Sequence, residues 1–215
     1  PERRAKEDPS ARTALVMRAK NLPADDAFYA FFDLVFLPLS EYRGGDFPRV
    51  RGVALPGVIP DGEREKVLAD LRDAADRGAR HALCGNYGHL ALCREAGLVP
   101  HGDFRLNVTN GAAAEFALAA GFADLILSPE LSAAQLRDIG GRVRAVVYGR
   151  VPLMLLEKCA AAETSGCTKC ADDRAALTDR MGKRFPILRE EPHRNSLVNC
   201  VPTYAAEHPP IGGQH

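Results

Sequence analysis

Short apolar runs alternate with helix-period segments along most of this chain, and that alternation narrows the possible folds more than any other feature. Seven segments read as strands: Thr13–Arg18, Leu34–Leu39, Val50–Leu55, His81–Cys84, Val99–Leu106, Ala123–Leu127 and Val143–Tyr148. Their composition is that of strands buried on both sides. Helical patterns lie between several of them. Over Asp61–Arg77, the residues Val67, Leu68, Leu71, Ala74 and Ala75 share one face opposite a charged one, and Gly78 offers a C-cap. Gly88–Ala96 and Gly111–Ala120 are shorter and alanine-rich, as suits helices packed closely on a sheet. Ser132 and Gln135 carry the capping-box spacing that opens Ala133–Ile139, which stops at Gly140-Gly141. Such a repeat is contained naturally by a parallel sheet or a (β/α) barrel. The expectation is therefore an α/β, TIM-barrel-like domain. Seven strands are one short of a closed eight-stranded barrel, so a further segment or another chain would complete it.

Four parts are expected: a disordered or linker segment over residues 1–12, the barrel-like domain over 13–156, a loop-rich cap over 157–206 and a flexible tail over 207–215. With 215 residues, the chain has room for one substantial core or two small ones. The 28 basic residues balance 28 acidic ones, which removes the basic excess that usually marks a nucleic-acid binder. No apolar run is long enough to span a bilayer, and the charged first dozen residues have no signal-peptide core, so the expected location is cytoplasmic and off the membrane.

Four of the six cysteines, Cys159, Cys167, Cys170 and Cys200, fall in the predicted cap. The Cys-Thr-Lys-Cys pair at Cys167 and Cys170 puts two thiolates on one tight turn, where both can reach one ion. Clustering of this kind suits a reducing compartment and a metal site rather than a disulfide framework. Cys159, Cys167 and Cys170 are three expected ligands, with Cys200 or His193 as the fourth. Four thiolates favour a 4Fe-4S cluster, and a mixed set suits zinc equally well. A cap with little apolar content would also be stapled by the metal.

Polar residues follow the predicted strands at the positions where β/α barrels carry their chemistry: Arg18, Asn86, His89, Arg105, Asn107, Glu130 and Arg150. Arg105 and Arg150 on one mouth would hold a small anionic molecule or a phosphate backbone through bidentate guanidinium contacts. The plainer alternative is a salt bridge from these arginines to Asp103 or Glu130. Histidines 81, 89, 101 and 193 invite a metalloprotease reading, but no His-Glu-x-x-His helix is present, nor a Gly-x-Ser-x-Gly elbow. Cys84 with His89 or His101 is a conceivable nucleophile pair, provided that the thiol is exposed and acidic.

Four stretches carry a family resemblance. They are His101-Gly-Asp103-Phe-Arg105-Leu-Asn107-Val-Thr-Asn110, Leu83-Cys-Gly-Asn86-Tyr-Gly-His89-Leu90, Leu127-Ser-Pro-Glu130-Leu-Ser132-Ala-Ala-Gln135, and Tyr148-Gly-Arg150-Val-Pro-Leu-Met154 with the cysteines after it. Together, over Val53 to Tyr204, they resemble the collagenase-like peptidase family, the U-32 peptidases. The resemblance implies a barrel-like fold. It also implies catalytic roles for Asp103, Arg105, Asn107 and Glu130, substrate binding by Asn86, His89 and Arg150, and a cluster on Cys159, Cys167, Cys170 and Cys200. In relatives the fourth thiolate position lies nearer His193 than Cys200, which leaves that ligand open between the two. Some relatives are linked to oxygen-independent hydroxylation of RNA bases or of quinone precursors, the RNA enzymes taking the hydroxyl from prephenate. The implied function is thus a cluster-dependent hydroxylase acting on RNA bases or a small aromatic precursor. A collagenase-like protease is the alternative, and a non-catalytic subunit with structural zinc is a third reading.

Overall fold

The structure is a computed structural model and describes residues 14–16, 21–43, 45–160, 162, 175–190 and 194–205. Arg18, Cys167, Cys170 and His193, with the expected linker at 1–12 and the tail at 207–215, lie outside the described residues. The chain divides into two compact units that meet between Val146 and Val147.

The first unit is built on seven strands: β1 (Ala14–Val16), β2 (Leu34–Pro38), β3 (Gly52–Ala54), β4 (His81–Cys84), β5 (Val99–Gly102), β6 (Leu125–Ile126) and β7 (Val143–Arg144). They pair in chain order, every pair parallel, and the sheet curls into a half-barrel. All seven expected strands are present, most of them shorter than their apolar runs. Between them lie α1 (Asp26–Ala30), α2 (Leu39–Tyr42), α3 (Arg64–Asp76), α4 (His89–Ala96), α5 (Gly111–Ala120) and α6 (Ala133–Asp138). The last is opened by the expected capping box, with Ser132 Oγ accepting from Gln135 N and Gln135 Oε1 accepting from Ser132 N.

Strand alternation sorts side chains onto two faces. Val35, Leu37, Val53, Ala82, Cys84, Leu125 and Leu127 pack in one cluster with Leu68 and Leu71 of α3, Leu92 and Cys93 of α4, and Ala114 and Ala117 of α5. Leu34, Phe36 and Leu83 form a second cluster, joined by Ala14, Ala54 and Ile126. This is the sheet face away from the helices, and it has one tight contact. A Cβ on Gly52 would sit 2.8 Å from Phe36 Cε1 and 2.9 Å from the Val35 carbonyl oxygen. Only glycine lets the Phe36 ring lie across β3.

Two local features cut strands short. The run Val99–Leu106 ends as a strand at Gly102, because the Asp103 carboxylate caps Phe104 N and Phe104–Leu106 wind into a 3-10 turn. The run Val143–Tyr148 stops at Arg144, and Tyr148–Gly149 forms β8, which pairs antiparallel with β13 (Thr203–Tyr204) in the second unit.

The second unit also holds β9 (Pro152–Leu156), β10 (Ala176–Thr178), β11 (Arg184–Arg189) and β12 (Asn195–Val198), an antiparallel sheet in the order β10-β11-β12-β9. The strand Pro152–Leu156 therefore belongs here and not to the half-barrel. The β10–β11 turn is organised by Asp179, whose Oδ1 accepts from Met181 N and Lys183 N at 2.8 Å each, with Gly182 at a φ of 77°. Among the described residues this region is a small sheet rather than the loop-rich cap expected from its weak periodicity. No helix among them is long and apolar enough to cross a membrane.

Candidate functional site

The C-terminal ends of β4 and β5 bring three of the expected residues together. After Cys84 the chain turns through Gly85-Asn86-Tyr87-Gly88 into α4. Asn86 Oδ1 accepts from Gly88 N at 2.8 Å and the Asn86 carbonyl accepts from His89 N at 3.1 Å, so Asn86 shapes the turn that starts the helix. The turn buries the His89 ring, whose Nδ1 has no hydrogen-bond partner. Burial, with a smaller push from the Arg105 charge, lowers the His89 pKa to about 4. At neutral pH this imidazole is uncharged.

β5 is tied to the same end by the Asp103 amide, which donates to the Cys84 carbonyl at 2.9 Å. The Asp103 carboxylate is buried, with Oδ1 accepting from Phe104 N at 2.8 Å and Oδ2 lying 3.5 Å from Arg105 Nε. Arg105 lies across two loop glycines. A Cβ on Gly85 would meet its Cβ and Cδ at 3.1 Å, and one on Gly57 would meet its Nη1 at 3.3 Å. Both glycines therefore let a long cationic side chain lie flat over the loops that follow β3 and β4. Asn107 has a φ of 51° and closes the 3-10 turn by donating its amide to the Phe104 carbonyl at 2.9 Å. Glu130 lies past β6 in the Ser128 turn, its amide reaching Ser128 Oγ at 3.4 Å. Asn107 and Glu130 are exposed, and among the described residues no hydrogen bond or ion pair joins either to Asp103 or Arg105.

Arg150 lies in the second unit, where its Nη1 donates to the carbonyls of Asn199 and Cys200. There it fastens the segment after β12 to the start of β9. Of the expected metal ligands, Cys159 is buried and Cys200 half-buried. Among the described residues no group of three or more histidine, cysteine or carboxylate side chains is arranged to hold a metal ion. Two thiols do not make a cluster site, so the expected ligand set depends on residues beyond those described.

Cys84 is not the nucleophile that its position after an apolar strand allows. Alternation turns it toward the helices, where its Sγ lies 3.4 Å from Cys93 Sγ, while His101 belongs to the opposite face. The contact with Cys93, reinforced by burial, pushes the Cys84 thiol pKa up. A protonated, enclosed thiol is inert. A thiol-reactive dye is expected to label Cys200 in the folded protein and to reach Cys84 and Cys93 only after denaturant is added. Labelling of Cys84 as fast as Cys200 without denaturant would show that the helix face is open.

Four residues outside the expected set form a polar row on the face away from the helices. His81 Nδ1 lies 3.0 Å from His101 Nε2, and His101 Nδ1 lies 2.9 Å from Asp124 Oδ2 in an ionic contact that falls short of hydrogen-bond alignment. Arg144 Nη2 donates to the same Asp124 oxygen. Phe36 meets the His101 ring edge-on, centroids 5.8 Å apart. The signal available in the sequence was positional: two histidines inside apolar strands, with an aspartate and an arginine at the next two. Only parallel register makes them neighbours.

No family model matches the chain, and no curated protein matches it.

Proposed function

We propose that this protein is an oxygen-independent hydroxylase-type enzyme of the U-32 peptidase family, acting on RNA bases or a small aromatic precursor, with a small dianion such as prephenate bound at the end of β4 and β5. The observation that carries this reading is Arg105 laid over Gly57 and Gly85 beside the buried, neutral His89. A guanidinium held in this way offers two parallel N–H donors to a carboxylate without first being ordered. Asp103 sets its orientation through the Nε edge. His89 can share a hydrogen bond with the ligand without adding a second charge, and Asn107 and Glu130 line the rim of the same sheet end. An iron–sulfur cluster on Cys159, Cys167, Cys170 and either Cys200 or His193 would supply electron transfer. Proteolysis gains nothing from Cys84, whose thiol is protonated and enclosed.

Two measurements test the proposal. Protein purified without oxygen is expected to hold about four irons with matching sulfide, and Cys167→Ser to lose them. Full iron in that variant, or about one zinc in the wild type, would sink the cluster reading. Prephenate is expected to raise the melting temperature of the wild type. Arg105→Met should weaken that binding about tenfold or more, the worth of a charge-assisted bidentate contact. Equal binding by both proteins would remove Arg105 from the site.

A further inference from the structure

The row His81–His101–Asp124–Arg144 has a defined proton order. Asp124 Oδ2 faces His101 Nδ1, so that nitrogen carries the proton and His101 Nε2 presents its lone pair. His81 Nδ1, 3.0 Å from that lone pair, must then be the donor of the pair. This fixes the unprotonated nitrogen of His81 at Nε2. Arg144 neutralises Asp124 on Oδ2, and Asp124 Oδ1 is buried without a hydrogen-bond partner among the described residues. The side chains of His101, Asp124 and Arg144 are 4%, 14% and 12% exposed, whereas His81 is half-buried. A buried carboxylate with an unsatisfied oxygen favours a cation beside it, and the cation that this row can generate is the His101 imidazolium.

We infer that this row is a proton relay, with His81 as the proton acceptor and His101 and Asp124 as positioning residues. A hydroxyl or ring N–H of a bound molecule breaks its bond to hydrogen, and a new N–H bond forms at His81 Nε2. His81 Nδ1–H breaks in turn, and its proton bonds to His101 Nε2. His81 ends neutral, and the positive charge rests on His101 against Asp124, which stays ionised. Phe36 covers the His101 ring and keeps water from short-circuiting the transfer. Asp103 follows His101 by two residues on β5, about 7 Å along the strand and on the same side of it. The relay therefore lies one step beneath the proposed anion site and rests on that reading only for its substrate.

The test needs no ligand, so its failure is separable from failure of the binding proposal. Nitrogen-15 spectra of the histidine rings in the full chain read the tautomers directly. The expected result is Nδ1–H on both His81 and His101, one proton taken up first with the charge on His101, and a second step at least about one pH unit lower. Asp124→Asn is expected to lower the first step by about one unit or more. His81→Gln, a change at a half-buried position, should leave His101 titrating in a single step, which keeps the test alive if Asp124→Asn fails to fold. An Nε2–H tautomer on His81 would overturn the relay. So would independent titration of both rings near about 6.5.

Discussion

Phe36→Ala is expected to lower stability by about 3–5 kcal/mol, the usual cost of emptying a fully buried aromatic site. Phe36 is completely buried and packs with Leu34 and Leu83 on the face away from the helices. For a chain of this size that loss corresponds to a fall in melting temperature of roughly 6–20 °C. The partner position makes the prediction more specific. Gly52→Ala on its own should also destabilise, because the new Cβ would press on Phe36 Cε1 and on the Val35 carbonyl oxygen. In the Phe36→Ala background the ring is gone and the added methyl fills part of the vacated space. The two substitutions should therefore couple by about 0.5–3 kcal/mol, the double mutant being more stable than the sum of the single losses predicts. Strict additivity in thermal or urea unfolding would show that the ring does not depend on the glycine.

Acid is expected to weaken the fold through His89. Its folded pKa, about 4, lies below the ordinary 6.5 because burial and Arg105 disfavour the cation. Between those values the unfolded chain binds more protons at this site than the folded one, so stability falls as pH drops through the window. The contribution is fully present above about pH 6.5 and fully lost below about pH 4, a change of up to about 3 kcal/mol. His89→Gln replaces the ring with an amide that does not titrate, so the slope of stability against pH over this window should flatten. The slope is the readout, since the variant has its own baseline stability. An unchanged slope would mean that His89 is not held neutral in the folded protein. Arg105→Met tests the second cause and should make the His89 step shallower without removing it.

The half-barrel was legible because its signals are local. Apolar runs of the right length, the Val67/Leu68/Leu71 stripe and the Ser132–Gln135 capping box each report on a few neighbouring residues, and each appears where the pattern puts it. The short helix α2 follows β2 at once, and its four residues are too few to display a period. The break of the Val99–Leu106 run needed the side-chain cap of Asp103 and the left-handed Asn107. The second unit was read as loop because its strands gain their partners at a distance, Ser196 pairing with Leu155 and Asn195 with Leu156. The candidate site divides along the same line. Asp103, Arg105 and His89 were visible as polar residues just past apolar runs. The His81–Arg144 row was not, because it depends on the register of four strands spread across the first unit.

Strand order in the first unit equals chain order, and this has a consequence for synthesis. Each new strand needs only the edge laid down immediately before it, so the sheet can lengthen by one strand and helix at a time as the chain leaves the ribosome. No strand has to wait for a distant partner, and each loop closure spans a single crossover. The four residues of the polar row would join in the order of translation, His81 first and Arg144 last. The proton path would then be finished by the final strand of the half-barrel.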